Sequence, residues 1–393
     1  MSDLFETEVG QSKRAGRYIR QVTGYRAFIP ASLPPDNPPL NIDMELQKLL
    51  SDADAALGRL DGSIQTLPHP DLFMFMYVRK EAVLSSQIEG TQASLNDVIK
   101  AEGNLFSTEK TGDVNEVINY IDAMNYGLQR LKVLPLSVRL IREIHEHLMR
   151  GVRGSKMRPG EIRRSQNWIG PKGSTLADAF FVPPPHEEAE NALSDLEKFL
   201  NGEDNLPLLL KIGLAHAQFE TIHPFLDGNG RVGRLLITFF LCSQNILQKP
   251  VLYLSYYLKK HQSTYYEKLQ KTRDNGEWEE WLKFFLRGVA EVAHQATETA
   301  RKIVALREEH RQRIVERFAA STGNGLRVLE RLYGNPYISV NQVSQITGAS
   351  FPNANNLIKK FVETGILVEM TGQSRNRVFW YHSYTDLFSN LGD

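Results

Sequence analysis

The amino-acid sequence predicts a mainly α-helical protein that ends in a small module of different character. Apolar residues recur at spacings of three and four along most of the chain, as in helices with one buried face. Residues 163–185 interrupt this pattern, and beyond residue 325 the helices shorten and strand-like runs follow. We therefore predict an N-terminal arm and helical region over 1–110, a central helical domain over 111–320 and a module over 321–393.

Composition excludes several functional classes. The 46 basic residues equal the 46 acidic residues, so any nucleic-acid or membrane partner must be argued from a local patch. The chain shows neither a signal-peptide pattern nor an uninterrupted apolar run of about 18 residues, so we expect a cytoplasmic protein with no membrane partner. A single cysteine excludes an internal disulfide.

The N-terminal part is predicted to be an irregular, proline-rich arm followed by helices. The arm covers residues 1–40, and the helices occupy about 41–57 and 70–88. Gly90 is expected to end the second helix, which puts Glu89 in its last turn. The helix dipole disfavours a negative charge there, so Glu89 is either solvated or held by a cation from elsewhere in the fold.

The central part continues with helices and one predicted hairpin. A turn around Gly170, Pro171 and Gly173 is flanked by Trp168-Ile169 and by Phe180, Phe181 and Val182, which indicates two short strands. Such an exposed edge is either a liability or a docking site for an extended segment of a partner protein. The helices are predicted at about 94–103, 113–131, 136–150, 186–201, 206–221 and 278–320.

The C-terminal part is predicted to be a winged helix-turn-helix module. Residues 321–325 are typical of a linker, three short helices follow at about 326–334, 339–346 and 350–364, and residues 366–370 and 378–381 form a two-stranded ribbon. In this arrangement the helix that begins near Ser350 would be the recognition helix, which lies in the major groove of DNA. Nearby glutamates offset the basic charge, so DNA binding and protein docking both stay open. The candidate DNA-binding residues are Lys359, Lys360, Arg375 and Arg377.

The segment His223–Arg234 carries the strongest functional signal. Gly228-Asn229-Gly230 can turn successive N–H groups toward one anion, and an apolar helix predicted from Val232 to Leu247 would add the positive end of its dipole. Arg231 and Arg234 share one face of its first turn, where cations are disfavoured unless an anion lies between them. The pattern therefore predicts a phosphate site.

Two further residues of this segment suit catalysis. His223 is a candidate general base that would take a proton from an incoming hydroxyl. Asp227 is a hard oxygen ligand that could hold Mg²⁺ together with phosphate oxygens. Each has an ordinary alternative, since His223 could be a packed loop residue and Asp227 a helix N-cap. Their spacing with the two arginines favours the site.

Two other sequence patterns resemble known binding motifs, but their context argues against that function. Gly228, Gly230 and Gly233 fit a dinucleotide-binding fingerprint, but a predicted helix precedes them where that motif requires a strand. His145 and His147 stand two positions apart on a predicted helix, so they face different directions and cannot easily share a metal ion.

At every defined position His223–Arg234 fits H-x-F-x-[DE]-G-N-G-R-x-x-R, and the chain thereby resembles the Fic family of protein adenylyltransferases. The resemblance implies a Fic helical bundle with a β-hairpin flap, and transfer of AMP from ATP to a Ser, Thr or Tyr hydroxyl of a protein with release of pyrophosphate. It implies that the flap docks the target segment through Phe180, Phe181 and Val182. The roles it implies are His223 as base, Asp227 as Mg²⁺ ligand, Gly228, Asn229 and Gly230 as the anion hole, and Arg231 and Arg234 as phosphate ligands.

The same resemblance extends to two other places. Ser85–Gly90 fits [ST]-x-x-x-E-[GN], the inhibitory pattern of the self-inhibited class, which implies that Glu89 pairs with Arg234 and keeps the γ-phosphate out of its productive position. Tyr265 and Tyr266 resemble a pair near the adenine pocket. Arg273 stands where some relatives have an asparagine, which departs from the family pattern.

The leading expectation is thus a self-inhibited AMP transferase that uses ATP and Mg²⁺. Two alternatives are a de-AMPylase in which Glu89 positions water, and a transcription regulator that binds DNA and only senses ATP. The expected partners are a protein hydroxyl, with the chain itself as one candidate, and DNA at the C-terminal module; a homodimer is a candidate assembly.

Overall fold

The computed structural model describes residues 14–65, 67, 70–102, 112–170 and 173–389, and helices dominate them. Residues 1–13 of the predicted arm and Pro171 of the predicted turn lie outside the described residues. In the described ranges no helix is long and apolar enough to cross a membrane. The chain forms two compact units, one from Met1–Ala55, Asp122–Ile246 and His261–Ala290, the other from Ala56–Ile121, Leu247–Lys260 and Glu291–Asp393.

The secondary structure follows the predicted order of helices, with several additions. The elements are β1 Gly16–Arg20, β2 Arg26–Pro30, α1 Met44–Gln65, α2 Pro70–Ile88, α3 Leu95–Glu102, α4 Gly112–Arg130, α5 Val138–Leu148, α6 His186–Asn201, α7 Leu208–Ile222, α8 Asn229–Ser243, α9 Ser255–Lys260, α10 Gln262–Asn275, α11 Trp278–Arg317, α12 Thr322–Gly334, β3 Tyr337–Ser339, α13 Val340–Thr347, α14 Phe351–Glu363, β4 Val368–Glu369, β5 Val378–Trp380 and α15 His382–Ser389.

Helix α7 is the centre of the first unit. Every residue from Leu209 to Ile222 is buried, because the helix packs against α6, α8, α10 and β2. Gly213 permits a close approach: a Cβ there would lie 2.8 Å from Leu282 and 3.1 Å from Phe285. The indole N–H of Trp281 donates to the Gly213 carbonyl at 2.8 Å. The helix that leads into the motif is therefore fixed on every side.

The prediction of an irregular N-terminal arm is wrong for residues 16–30, whereas residues 31–40 form no helix or strand. β1 and β2 form an antiparallel hairpin whose register runs from Gly16 opposite Pro30 to Arg20 opposite Arg26. The hairpin forms because β2 buries Ala27 and Phe28, and the Phe28 N–H donates to the Val182 carbonyl at 2.9 Å. Exposed charged residues at the ends of these short strands concealed the β pattern.

The predicted hairpin over 163–185 is reduced, in the described part of that segment, to one antiparallel bridge between Ile169 and Phe181. Phe181 and Val182 are buried, whereas Phe180 is 72% exposed. The Phe181 ring lies 5.9 Å from the Phe28 ring and 4.0 Å from the Arg273 guanidinium. Phe181 and Val182 therefore contact β2 and the core. Burying these two side chains stabilises the fold more than a second exposed strand would.

Helix α2 is fixed within the second unit by two buried charged residues. The Lys80 ammonium donates to the carbonyl of Phe388. The Glu81 carboxylate accepts the Ser255 N–H at 3.0 Å, the Ser255 hydroxyl and the Tyr120 hydroxyl. Helices α9 and α12 pack along α2. These bonds satisfy charges that would otherwise be costly to bury.

The predicted linker over 321–325 is wrong. A 3₁₀ turn over Ala319–Ser321 leads directly into α12, which begins at Thr322. Gly325 is buried, and a Cβ there would lie 2.7 Å from Phe318 and 2.9 Å from Ile314. Glycine occurs here because two helices approach closely, not because the chain must flex.

The C-terminal module has one strand and one helix more than predicted. Its sheet has the order β3-β5-β4, and β5 is antiparallel to both neighbours. Helix α15, which was not predicted, packs Tyr384 against Tyr333 at a ring separation of 5.0 Å and Phe388 against Tyr77 at 5.2 Å. Its aromatic residues therefore belong to the core of the second unit.

Candidate active site

The motif occupies the turn between α7 and α8. Helix α7 ends at His223, whose backbone is left-handed with φ 48° and ψ 59° and whose N–H donates to the Phe219 carbonyl at 3.0 Å. Helix α8 begins after Gly228, which is also left-handed with φ 79°. A left-handed conformation costs a non-glycine residue about 1–2 kcal/mol, so the surroundings must hold His223 in place.

Two side chains from the segment after α5 supply that support. The Arg163 guanidinium donates to the carbonyls of Ile222, His223 and Pro184, and the His223 bond is 2.9 Å long. The Asn167 amide donates to the His223 carbonyl at 3.3 Å and to the Phe225 carbonyl at 2.9 Å. We call Arg163 and Asn167 the clamp. Together they hold the main chain before and after His223.

Arg163 is the buried half of the clamp. Its residue is 1% exposed, and burial lowers the pKa of its guanidinium to about 10, so it stays charged at pH 7. Its backbone N–H donates to the Pro224 carbonyl at 2.9 Å, which adds another bond to the loop. The sequence offered one signal for this residue, since Arg163 opens the segment in which the helical periodicity breaks.

The Asn229 side chain holds the loop between α7 and α8 by bonding to its main chain. Its side-chain oxygen accepts the Phe225 N–H and its amide donates to the Phe225 carbonyl, both at 2.8 Å. The prediction that α8 starts at Val232 and ends at Leu247 is wrong: the helix begins at Asn229 and ends at Ser243. Its first helical bond joins the Val232 N–H to the Gly228 carbonyl at 3.1 Å, so the backbone N–H groups of Asn229 and Gly230 lie at the positive end of the dipole.

The new helix start changes the setting of both arginines. Arg231 lies in the first turn, but Arg234 lies in the second, not in the first as predicted. Both are buried, at 1% and 3% exposure. The Arg231 guanidinium lies 3.6 Å from the Met149 sulfur and 3.9 Å from the Asp227 carboxylate. Two buried guanidinium groups at one helix start are the arrangement that a bound polyanion stabilises.

Asp227 has the surroundings of a cation ligand. Its carboxylate accepts the Gly228 N–H at 2.7 Å, and its side chain keeps 40% exposure. A Cβ at Gly154 would lie 2.5 Å from Asp227 Oδ2, so the glycine keeps that oxygen open. In the described residues, no group of three or more His, Cys, Asp or Glu residues could hold a metal ion. A single carboxylate fits Mg²⁺ that takes its other ligands from phosphates and water.

His145 supports the motif from α5. Its Nδ1 accepts the Gly160 N–H at 2.9 Å and its Nε2 donates to the Asp227 carbonyl at 3.0 Å, while its ring stacks on Phe225 at 3.8 Å. Burial lowers its pKa to about 4, so the ring is neutral at pH 7. His147 contacts Asp122 and Tyr126 instead. The two rings thus face different surroundings, as their spacing predicted.

His216 joins α7 to α8. Its Nδ1 donates to the Gly233 carbonyl at 3.0 Å, and its Nε2 accepts the Tyr265 hydroxyl at 2.8 Å. Burial lowers the pKa of His216 to about 4. Tyr265 is thus a buried partner of His216, and Tyr266 beside it is 46% exposed. An adenine-pocket role for Tyr265 and Tyr266 remains a proposal.

Arg273, a residue of α10, contacts the last turn of α7. It is buried, and it donates to the Thr221 hydroxyl at 3.2 Å and to the Glu220 carbonyl at 3.3 Å. Burial lowers the pKa of Arg273. The residue that departs from the family pattern therefore supports the last turn of α7, close to the start of the motif.

The inhibitory-pattern residues lie at the end of α2, which ends at Ile88 as predicted. Ser85 is fully buried, and Glu89 is partly exposed in the turn after the helix. The Glu89 N–H donates to the Ser86 carbonyl at 3.0 Å, and Gly90 is left-handed with φ 93°. The glycine ends the helix, as predicted, and fixes the backbone of the glutamate.

The four candidate DNA-binding residues differ in their surroundings. Lys360 donates to the Phe318 carbonyl at 2.9 Å and to the Ser321 hydroxyl at 2.8 Å, so its ammonium caps the turn after α11. Lys359 is 75% exposed and lies 3.7 Å from Glu363. Arg375 is exposed, and Arg377 donates to the Asn355 side chain at 2.6 Å.

Comparison with protein families agrees with this geometry. Residues 47–129 match the model described as Fic/DOC family N-terminal, and residues 135–241 match the model described as Fic/DOC family. The second range includes the clamp, the motif and most of α8. These two ranges are therefore similar to the two domains of the Fic/DOC family, as the motif predicted.

Individual relatives give the same result. A probable protein adenylyltransferase of Aquifex aeolicus, aq_aa38, is 29% identical over 184 residues, which cover 44% of this chain and 51% of the relative. The protein adenylyltransferase Fic of Drosophila erecta is 27% identical over 173 residues, 43% of this chain and 31% of the relative. The chain thus spans about half of the first relative and about a third of the second.

A solved structure shares the fold. A Fic family protein from Desulfovibrio desulfuricans G20 superposes with a TM-score of 0.56 at 20% identity, covering 88% of this chain and 98% of that one. At this identity the likeness concerns the fold alone.

Proposed function

We propose that the protein transfers AMP from ATP to a Ser, Thr or Tyr hydroxyl of a target protein. The main support is the motif turn, in which the clamp fixes the backbone at His223 directly before a helix start that carries two buried arginines. The two relatives reported above are named protein adenylyltransferases, and the names describe this chemistry in them.

The proposed reaction is a displacement at the α-phosphorus. The hydroxyl oxygen of the target forms a bond to that phosphorus while the bond to the bridging oxygen of pyrophosphate breaks. His223 accepts the hydroxyl proton, and the N–H groups of Asn229 and Gly230 with Arg231 and Arg234 stabilise the charge on the phosphates. Asp227 would hold Mg²⁺, which supplies neutralisation of the phosphate charge when bound.

The chemistry is tested with ATP labelled in two positions. In a Glu89→Gly background, label from the α-phosphate should become attached to protein and label from the γ-phosphate should not. Both Glu89→Gly/His223→Ala and Glu89→Gly/Asp227→Asn should abolish labelling. Label from the γ-phosphate without label from the α-phosphate would indicate phosphate transfer and would exclude the proposed reaction.

We further propose that Glu89 restrains the enzyme by pairing with Arg234. A carboxylate satisfies the same planar guanidinium that a phosphate would use, so ATP and Glu89 would compete for it. The support is the Ser85–Gly90 pattern together with the fixed turn that holds Glu89 at the end of α2.

The reverse reaction is the second candidate for the same site. There Glu89 would position a water that removes AMP from a modified protein. A target that has been adenylylated beforehand separates the two: AMP release by the wild type that disappears in Glu89→Gly favours removal, whereas release that is absent from the wild type favours transfer.

Two structural assignments accompany this proposal. Helices α12, α13 and α14 with the sheet β3-β5-β4 support a winged helix, because α13 and α14 are joined by a short turn at Gly348. Exposed Phe180 next to the Ile169–Phe181 bridge supports target docking at the segment before α6, with buried Phe181 and Val182 as its base.

A further inference from the structure

The C-terminal module carries a polar groove that AMP transfer does not use. The groove encloses about 610 Å³ between the start of α13, the start of α14 and the loop between β4 and β5. In the described part of the chain its lining includes no carboxylate, but it includes two arginines, five residues with amide or hydroxyl side chains, and an exposed phenylalanine. These are Arg375, Arg377, Ser339, Asn341, Asn355, Ser374, Asn376 and Phe351.

One of these arginines is held in position. Arg377 donates to the Asn355 side-chain oxygen at 2.6 Å, and its guanidinium lies 5.3 Å from the centre of the Phe379 ring. Arg375, two residues earlier, is exposed. The β4–β5 loop thus presents one fixed and one exposed cation beside the starts of two helices, a combination that attracts phosphates.

Helix α14 presents a different face to solvent. Pro352, Asn356, Lys359 and Glu363 are exposed at spacings of four, three and four, so they share one side of the helix. Asn356 offers an amide that can bond to adenine, and Lys359 offers a cation. Glu363 is the last residue of the helix, where Lys359 lies 3.7 Å from it and partly neutralises it.

The start of α14 adds an apolar contact. Phe351 is 56% exposed although it is aromatic, and it lies at the first position of the helix, next to the groove. An aromatic ring at this place can contact a thymine methyl group in a major groove. Gly348, left-handed with φ 69°, makes the short turn that projects α14 away from α13.

We propose that this surface binds duplex DNA, with α14 in the major groove and the β4–β5 loop on the adjacent phosphates. Arg375 and Arg377 neutralise phosphates and set the position, whereas Phe351 and Asn356 read A·T base pairs. Lys360 is left out of this surface because it caps the turn after α11. The proposal corrects the sequence-based set from four cations to three, Lys359, Arg375 and Arg377, and adds Phe351 and Asn356.

The test measures binding of the full chain to a labelled duplex of mixed sequence between about 50 and 200 mM salt, where phosphate contacts dominate affinity. Arg375→Ala/Arg377→Ala should reduce the slope of log K against log salt by about 2, because each phosphate contact contributes about 0.9. Arg375→Ala alone, at an exposed position, should reduce it by about 1. The control Arg59→Ala/Arg301→Ala removes two exposed arginines of the same unit and should leave the slope unchanged.

Base reading is tested separately by selecting from a randomised duplex pool. The wild type should enrich A·T pairs, and Asn356→Ala should lower the preference at one position roughly tenfold without changing the salt slope. No binding at low salt, equal slopes in the arginine and control variants, or tighter binding of single strands or duplex RNA would each overturn the proposal. Thermal melting of every variant separates loss of the surface from loss of the fold.

Discussion

At the scale of single residues, the site depends on how the backbone around His223 is held. A left-handed histidine at a helix end is unfavourable by itself, and the clamp of Arg163 and Asn167 offsets that cost through bonds to the carbonyls of His223 and Phe225. Both residues bond to main-chain carbonyls of the motif. They are positioning residues, which act on His223, the proposed base, through its main chain.

The clamp yields the first prediction. In a Glu89→Gly background, Asn167→Ala removes two donors to the loop, each worth about 1 kcal/mol, and should lower kcat for AMP transfer roughly tenfold while KM for ATP stays nearly constant. Gln166→Ala is the matched control, since its amide bonds to the Asn167 and Pro183 carbonyls and not to the motif. A larger effect of the control than of Asn167→Ala would contradict the clamp.

The buried histidines yield the second prediction. Burial lowers the pKa of His145, His216 and His310 to about 4, below the ordinary value of 6.5. The unfolded chain therefore binds more protons between these values, so stability is full above pH 6.5 and is lost as pH falls toward 4. From pH 7 to pH 5 each histidine should cost the fold about 2 kcal/mol.

Urea unfolding at the two pH values measures this loss. His145→Gln is expected to show about 2 kcal/mol less pH-dependent loss than the wild type, because one buried titrating group is gone. His147→Gln is the control, since that histidine lies on the other side of α5 against Asp122 and Tyr126. Equal pH dependence of His145→Gln and the wild type would rule out His145 as a source.

At the scale of elements, the segment after α5 lies beside the Asp227 carboxylate, the proposed ligand of Mg²⁺. Gly154→Ala would put a Cβ 2.5 Å from the Asp227 carboxylate and 2.5 Å from the Met149 methyl group. Gly151→Ala is a close match, because Gly151 is also left-handed, at φ 67° against 81°, but has open space around its Cβ position. Both changes should cost about 1 kcal/mol of stability through backbone strain.

Only Gly154→Ala should affect the cation. In a Glu89→Gly background it should raise the Mg²⁺ concentration for half-maximal AMP transfer by at least about fivefold, which corresponds to about 1 kcal/mol of lost ligand energy. Titration of Mg²⁺ at saturating ATP measures this. An equal shift in Gly151→Ala would show that backbone strain, and not the Asp227 carboxylate, is responsible.

Most helices could be predicted from apolar periodicity, because each long helix buries one face or all of its faces. The β1–β2 hairpin, the clamp and α15 could not, since each depends on a partner far away in the chain. Arg163 bonds to carbonyls about sixty residues later, and α15 packs on Tyr77 of α2. The motif residues were recognisable because their chemistry is concentrated in twelve consecutive positions.

At the scale of the whole molecule, the second unit links α15 to α2, the helix that directly precedes Glu89. Lys80 and Tyr77 of α2 both contact Phe388 of α15, and α12 packs beside them. Phe388→Ala should loosen this packing, since removing a buried phenylalanine costs about 3–5 kcal/mol. A looser α2 would hold Glu89 in place for less of the time.

We therefore expect Phe388→Ala to raise AMP transfer several-fold in the chain that retains Glu89, measured by label incorporated per minute. In the Glu89→Gly background the same substitution should give no further increase. Val22→Ala, a change at a fully exposed position, is the control and should leave both chains unchanged. An increase by Phe388→Ala in both backgrounds would contradict a link through Glu89.

The most direct measurement of the central claim, an AMP-transfer site restrained by Glu89, compares initial rates of labelling from α-labelled ATP in the wild type and in Glu89→Gly at saturating Mg²⁺. The account predicts a rate at least tenfold higher in Glu89→Gly, an increase that disappears in Glu89→Gly/His223→Ala. Equal rates in the wild type and Glu89→Gly, or labelling that survives the loss of His223, would contradict it.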